Sequence, residues 1–318
     1  MTMRQSMLLV FLLPLTLSAQ SLEEGIALMA RRDFHGAKSV FEAILKQNDQ
    51  NADAHYRLAQ VYLTNQLRDV DAAVDHCEEA VDLNPKNADY QYLLGAALGL
   101  KARDAGVIKQ ALLAPKVKGA FEKAVELNPN LVDAQIGLAE YYHRAPGFMG
   151  GDDEKAWKTA DVVVKLDELR GRSLRANFLL GDKKPAEAAQ EMRLLTKNRS
   201  GDWRAWRAAG SFFMRNEMTS DAIVSLEKYV TLRPDTADSH SMLARAYVQN
   251  KESDKAITLG RKALALDNDF PQAVEVLGQA FELKGQKKEA IEYYQKLLTM
   301  DLSPERKKNL EKKITELQ

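Results

Sequence analysis

The 318-residue chain holds one cysteine, Cys77. A single thiol cannot build an intramolecular disulfide framework or a cysteine-rich zinc module. Excess charge of either sign is missing too: 45 Lys+Arg stand against 45 Asp+Glu, and the pI is about 7.0. A protein that binds nucleic acid by neutralising phosphates needs a basic surplus, and an acidic tail protein needs the reverse. Catalytic spacings are absent: there is no Gly-x-x-x-x-Gly-Lys, no Gly-x-Ser-x-Gly and no His-Glu-x-x-His. The five histidines (His35, His55, His76, His143 and His240) read as scattered, one apiece in separate segments. His76 and Cys77 are adjacent, so a helix points them in different directions, and Cys77 reads as a packing residue. Pairs such as Glu78-Glu79 read as solvated helix surface. No nucleophile, base and orienting group assemble by spacing, so no enzyme, catalytic residue, metal or cofactor is expected. With 45% hydrophobic and 28% charged residues, the composition is that of a folded protein rather than a disordered one.

Long apolar runs are missing except at the start. Residues 1–19 carry one charge, Arg4, followed by an apolar run over residues 7–17. A membrane-spanning helix needs roughly twenty apolar residues. A positive start, a short apolar run and the small residues Ser18-Ala19 read as a cleavable signal peptide, with the cut after Ala19. The competing readings, an uncleaved anchor or a buried first helix, are disfavoured by Pro14 and the short run. No cysteine follows the cut, so lipid attachment there is not expected. An exported protein without an integral span follows, periplasmic in a two-membrane bacterium and secreted otherwise. A lone cysteine suits an oxidising compartment.

What is present is an internal period. Ala188, Ala222, Ala256 and Ala290 stand 34 residues apart, as do Ala176, Gly210, Ala244 and Gly278, and Leu179, Phe213, Tyr247 and Phe281. The first two columns continue backward as Ala37, Ala73, Val117 and Ala156, and as Gly25, Ala59, Gly95 and Ala139. Apolar residues recur at helical spacing within each unit. A small residue lets two helices approach closely, and a large residue one turn away fills the groove. Units close with Asn84-Pro85, Asn128-Pro129 and Arg233-Pro234, where proline cannot continue a helix.

The pattern Trp206-Ala209-Gly210-Phe213-Ala222-Leu226-Tyr229-Pro234 resembles the tetratricopeptide repeat family, as do Leu94-Gly95 and Ala120-Phe121-Ala124-Pro129. The resemblance implies an all-α, right-handed superhelical α-solenoid. About eight helix pairs start near residues 18, 52, 88, 132, 169, 203, 237 and 271 within an array over 20–303. Residues 304–318 form a capping helix, with Leu310, Ile314 and Leu317 inward and Lys307, Lys308, Lys312 and Lys313 outward, as an array end requires. Ser21-x-x-Glu24 has the spacing of a capping box. Glu24 and Arg175 fall in a usually apolar column and Gly260 replaces a large residue, which predicts weaker packing there.

The resemblance also implies a concave groove. Carried over, its candidates are Arg170, Ser173, Asn177, Arg204, Arg207, Ser211 and Arg245. Guanidinium groups suit carboxylate recognition, although the residue types depart from the known clamp for acidic peptide ends. Nearer the N-terminus the corresponding positions are Asp53, Tyr56, Gln60, Asp89, Tyr92 and Glu140. Charge is segregated along the chain: residues 20–168 carry 17 basic and 24 acidic side chains, residues 169–215 carry 11 and 4. The basic block is either a binding surface, a solvated face, or paired with the acidic half.

Insertions give a second clue. Three neighbouring units have extra residues between their helices, at Tyr62–Ala73, Leu98–Val117 and Tyr142–Ala156, and stacking should align these into one ridge. The loop Pro146-Gly147-Phe148-Met149-Gly150-Gly151-Asp152 has glycines for left-handed backbone, and Asp152 or Asp153 can cap the next helix. Phe148 and Met149 are expected to tuck against Val107, Ile108, Leu112 and Leu113, with exposed contacts as the other reading. The acidic run Asp152-Asp153-Glu154 is too short for an EF-hand.

Together these readings point to a non-catalytic protein-interaction scaffold of the bacterial cell envelope that holds a protein or extended peptide in the groove or on the ridge. Two alternatives are an accessory subunit of a polysaccharide or envelope-assembly enzyme, with Tyr56, Tyr62, Tyr90 and Tyr92 as sugar-stacking candidates, and a self-assembling structural protein. No nucleic-acid partner is expected.

Overall fold

The computed structural model describes residues 13–318, with side chains from Leu22 onward. Arg4 and the start of the expected signal segment lie outside the described residues. Seventeen α-helices and one short 3-10 turn account for the regular structure, and there is no strand among the described residues. The helices pair as α1 (Leu13–Ala30) with α2 (Phe34–Gln47), α3 (Ala52–Tyr62) with α4 (Val70–Leu83), α5 (Ala88–Arg103) with α6 (Val107–Leu127), and α7 (Val132–Arg144) with α8 (Asp153–Leu166). The pairing continues as α9 (Glu168–Gly181) with α10 (Pro185–Asn198), α11 (Trp203–Arg215) with α12 (Thr219–Leu232), α13 (Ala237–Gln249) with α14 (Ser253–Leu266), and α15 (Pro271–Leu283) with α16 (Lys287–Leu298). A last helix, α17 (Pro304–Leu317), packs on α16. The chain divides into two compact units, Met1–Asp167 and Glu168–Gln318. In each, every helix packs against the next in sequence.

The two small-residue columns are the seams of the hairpins. Ala59, Ala139, Ala176 and Ala244, and opposite them Ala37, Ala73, Ala156, Ala188, Ala222, Ala256 and Ala290, are all fully inaccessible. A Cβ on Gly210 would stand 2.5 Å from the Leu226 side chain, and one on Gly95 would stand 2.8 Å from the Phe121 ring. Gly260 does not loosen its unit. It is buried, and a Cβ there would lie 2.7 Å from Leu277, so its lack of a side chain makes room for a neighbour.

The turns add a column that differs in residue type. Lys183, Glu217 and Lys251 have φ of 60°, 58° and 61°, and Gly285, at the same 34-residue interval, has φ of 79°. One residue later, Lys184 N donates to Leu179 O, Met218 N to Phe213 O, Glu252 N to Tyr247 O and Gln286 N to Phe281 O. This closes the first helix with a left-handed residue and a six-residue hydrogen-bonded loop.

A further column clasps the loops between hairpins. His55 bonds to the Asp49 carbonyl (3.0 Å), Gln91 donates to Pro85 O (3.2 Å) and Gln135 to Pro129 O (2.8 Å). Trp206 donates to Ser200 O (2.8 Å), and His240 Nε2 to Pro234 O (2.8 Å). Each donor stands six residues after its acceptor and satisfies a carbonyl that the helix ladder leaves open. Within unit 1, tyrosines staple hairpins together, Tyr142 Oη donating to Glu122 at 2.8 Å; in unit 2 Tyr247 does the same to Glu227 at 2.8 Å.

Three expectations are corrected. Helix α1 is already under way at Ser21, so Ser21–Glu24 does not mark a helix start. Arg175 does not weaken its unit: with Arg172 it embraces Glu191, Arg172 Nη1 and Arg175 Nε each donating to that carboxylate at 2.9 Å. Glu191 is only 7% exposed, and such a paired, hydrogen-bonded charge is tolerated in a core. The long Leu98–Val117 insertion is not a loop. It lengthens both helices of its hairpin, leaving only residues 104–106 between them.

Cys77 is 1% exposed, and burial pushes its thiol up to about 12, so it packs rather than reacts. Leu310 and Ile314 of α17 are buried, and Ser303 Oγ caps its first turn by accepting from Arg306 N.

His240 offers a test. It is fully buried, its Nδ1 has no partner among the described residues, and burial lowers its pKa below the ordinary value. A depressed imidazole contributes stability in full above about pH 6.5 and loses it as the pH falls through the folded value. His240→Gln, which reproduces the clasp made by Gln91 and Gln135, should stay within about 1 kcal/mol of wild type by urea unfolding and lose part of the acid sensitivity below about pH 6.5. His240→Leu, which leaves the Pro234 carbonyl unpaired, should cost about 1–3 kcal/mol.

Candidate functional site

In unit 2 the first helices of successive hairpins line a cavity of about 200 Å³. Helix α11 supplies Arg207 and Ser211; α13 supplies Asp238, Ser241, Met242 and Arg245; α15 supplies Gln272, Glu275, Val276 and Gln279. Of the seven expected groove residues, the structure brings Arg207, Ser211 and Arg245 together here. Arg204 is held at the start of its own helix, its Nε donating to Asp202 at 2.9 Å. Arg170, Ser173 and Asn177 lie on α9 outside this cavity, and Ser173 Oγ donates to the Leu169 carbonyl at 2.7 Å.

The groove is not uniformly basic, which corrects the expected picture. Arg207 Nε donates to Asp238 Oδ2 at 2.8 Å, and the Tyr229 hydroxyl donates to the same oxygen at 2.8 Å. Burial works to raise the Asp238 pKa, but these hydrogen bonds and the attraction of Arg207 and Arg245 prevail and lower it. Burial and the bond to Asp238 push Tyr229 up to about 12. Arg306 of α17 reaches Glu275 at 2.6 Å. Arg245 is exposed, and its guanidinium has no ion pair among the described residues.

Many arginines of the basic block 169–215 are held by carboxylates inside unit 2. Besides the Glu191 cluster and Arg207, Arg193 Nη2 meets Asp221 at 2.8 Å, and Arg199 and Arg204 both meet Asp202 at 2.9 Å. The Asp202 carboxyl falls to about 2, chiefly through its hydrogen bond from Arg204.

The missed lining residues were within reach of the period. Asp238 and Gln272 follow Arg204 at 34-residue steps; Ser241 and Glu275 follow Arg207; Gln279 follows Ser211 and the expected Arg245.

In unit 1 Asp53, Tyr56, Gln60 and Tyr92 are occupied internally. Tyr90 donates to Asp53 at 2.6 Å, and Tyr56 lies against Tyr90 with ring centroids 4.9 Å apart. Arg57 donates to Gln60 at 3.1 Å, and Tyr92 leans on Phe121 at 6.2 Å. Tyr62 stacks on His76 at 5.8 Å. Asp89 opens α5, and Glu140 lies on α7. The histidines are not all scattered: His55 and His76 share a hairpin, Nδ1 to Nδ1 at 2.9 Å, beside an open cavity of about 430 Å³ lined also by Asp49, Asp75 and Glu79. Burial, then the neighbouring His55, lowers the His76 pKa. No group of three or more metal-ligating side chains is assembled among the described residues.

The three insertions meet one another. Arg68 of the first reaches Asp104 at the tip of the second at 3.5 Å, and Lys101 reaches Asp71 at 2.7 Å. The Tyr141 hydroxyl donates to the Ala114 carbonyl (3.0 Å) and to that of Met149, joining α6 to the glycine loop. In that loop Pro146 precedes a 3-10 turn at Gly147–Met149, Gly150 has φ of 90°, and Gly151 N donates to Pro146 O at 3.1 Å. Asp152 caps α8 by accepting from Lys155 N at 3.0 Å. Met149 is half-buried, but Phe148 is 81% exposed, as are Val107 (69%), Ile108 (82%) and Leu112 (72%). The expected tucking of Phe148 against α6 does not occur.

Stacked helix hairpins sharing a 34-residue seam define an α-solenoid. The tetratricopeptide repeat family model matches residues 22–88, 213–269 and 241–306, and the chain belongs to that family. It is 24% identical over 284 residues to tetratricopeptide repeat protein 37 of Xenopus laevis, covering 86% of this chain and 17% of that protein. Over 278 residues it is 23% identical to the TPR repeat-containing protein MJ1428 of Methanocaldococcus jannaschii, covering 81% of this chain and 44% of that protein. The chain thus spans less than half the length of these relatives. The yeast Tom70 crystal structure superposes with a TM-score of 0.65 at 15% identity, covering 94% of this chain and 64% of that one, a likeness of fold.

Asp238 is the hinge of the groove's electrostatics. With its pKa lowered, its contribution is present above about pH 4 and is lost as the pH falls through the folded value. Asp238→Asn should therefore cost about 1 kcal/mol at pH 7 in urea unfolding, with the difference from wild type closing toward pH 3.

Proposed function

We propose that this chain is a non-catalytic protein-interaction scaffold of the bacterial cell envelope, and that the α11–α13–α15 groove holds an extended peptide segment of its partner. The observation that carries this reading is Arg245, an exposed guanidinium in a cavity whose other lining includes hydroxyl, amide and carboxylate groups, the apolar Met242 and Val276, and an Arg207 already bound to Asp238. Ser211, Gln272 and Gln279 can exchange hydrogen bonds with a peptide backbone in either direction. Arg245 adds bidentate recognition of a carboxylate. Repeat arrays offer extended surfaces of this kind. Because Arg207 is committed to Asp238, it orders the wall rather than meeting the ligand.

Capture of partners from an envelope extract tests the groove. Arg245→Glu should reduce capture at least tenfold, about 1.4 kcal/mol or more, whereas Arg204→Glu should leave it within twofold. Equal capture by Arg245→Glu and wild type overturns the groove assignment.

Export rests on the charged start, the short apolar run and Ser18-Ala19. N-terminal sequencing of the protein recovered from the envelope should begin at Gln20; a chain beginning at Met1 contradicts cleavage.

A further inference from the structure

Helix α6 breaks the usual rule for a surface helix. Its buried side carries Ala114, Val117, Ala120, Phe121 and Ala124. At about 3.6 residues per turn, the side opposite carries Ile108, Leu112, Pro115 and Gly119, all exposed and none polar in side chain. A solvated helix face normally carries charge there. The stripe continues to Val107, and the loop fastened to α6 by Tyr141 adds the exposed ring of Phe148.

Charge on the flanks identifies what covers this stripe. Lys109 and Lys116 border one side and Lys118 the other, and residues 106–119 contain no carboxylate. Lys101 and Arg103 lie just before, so residues 99–119 hold five basic side chains against one acidic, Asp104. The pairs available to the flanking lysines are loose and solvated: Lys116 to Glu78 at 3.4 Å and Lys118 to Glu122 at 3.7 Å. An apolar stripe bordered by lysines, whose stems can lie along hydrocarbon while their ammonium groups stay in water, is the arrangement that seats in a bilayer interface. Basic side chains add attraction to anionic headgroups.

We infer that the α6 stripe, with Phe148 beside it, docks this protein on an anionic phospholipid surface as a peripheral contact. This goes beyond the peptide groove, which lies in unit 2 and uses none of these residues. The ten-residue lengthening of the α5–α6 hairpin then has a purpose: it extends the stripe past the buried part of the hairpin. No helix among the described residues is long and apolar enough to cross a membrane, so the contact rests on the surface.

The experiment is co-sedimentation of the full chain with vesicles of phosphatidylglycerol and phosphatidylcholine, and with phosphatidylcholine alone. Wild type should partition at least tenfold more strongly onto the anionic vesicles, and the preference should fall with salt. Ile108→Asp plus Leu112→Asp should lower anionic partition at least tenfold, and Lys109→Glu plus Lys116→Glu should remove the preference for anionic lipid. All four positions are solvent-exposed, so circular dichroism melting should keep each variant within a few degrees of wild type. In a Leu112→Trp variant, the emission of the introduced indole should shift blue on anionic vesicles and be quenched by brominated acyl chains, a readout independent of the apolar run at residues 7–17. Unchanged partition of the aspartate variant, or an introduced indole that brominated chains leave unquenched, overturns the proposal. Binding of an acidic amphipathic peptide at this face without vesicle partition overturns it in favour of a protein partner.

Discussion

The α5–α6, α11–α12 and α15–α16 hairpins close where a glycine meets a large side chain on the facing helix. At Gly210 against Leu226 and Gly95 against Phe121 the gap is too narrow even for a methyl group without displacement. That approach brings the rest into place. It sets the distance at which Tyr142 and Tyr247 reach carboxylates of the preceding helix, and it fixes the turn that Lys183, Glu217, Lys251 and Gly285 make with a left-handed residue. Three of these four positions accept an L side chain where glycine would be easier, a local cost that the packed seam carries.

The seam was legible because selection for smallness leaves only glycine and alanine, which recur visibly at a fixed interval. The loop clasps were not, because His55, Gln91, Gln135, Trp206 and His240 share a donor hydrogen but neither size nor polarity. The turn column was hidden for a similar reason: a left-handed φ tolerated by lysine and glutamate leaves no compositional trace. Arg175 looked like a flaw in an apolar column because its partner Glu191 lies one helix away and cannot be seen from a single column. The insertion at Leu98–Val117 announced its length but not its conformation, and continuing two helices satisfies every backbone group that a loop would have left open.

Charge repeats the same lesson at longer range. Counting along the chain finds a basic block, yet Asp202, Glu191, Asp221 and Asp238 engage six of its arginines through local geometry. What distinguishes the groove is the residual: Arg245 stands exposed beside an Asp238 already held by Arg207 and Tyr229. The 34-residue period that identifies the fold also names the groove walls, since residues with equivalent positions on α11, α13 and α15 face one cavity.

The clasps have a mechanical consequence. They sit at the joints between hairpins, so each one adds stiffness to its joint without adding to the hairpins themselves. Glutamine and tryptophan joints are indifferent to acidity between pH 5 and 8, whereas the one at His240 is made by a fully buried imidazole. Mild acid therefore acts on the joint at His240, where burial opposes the proton, and leaves the glutamine and tryptophan joints unchanged, concentrating compliance at one position in unit 2.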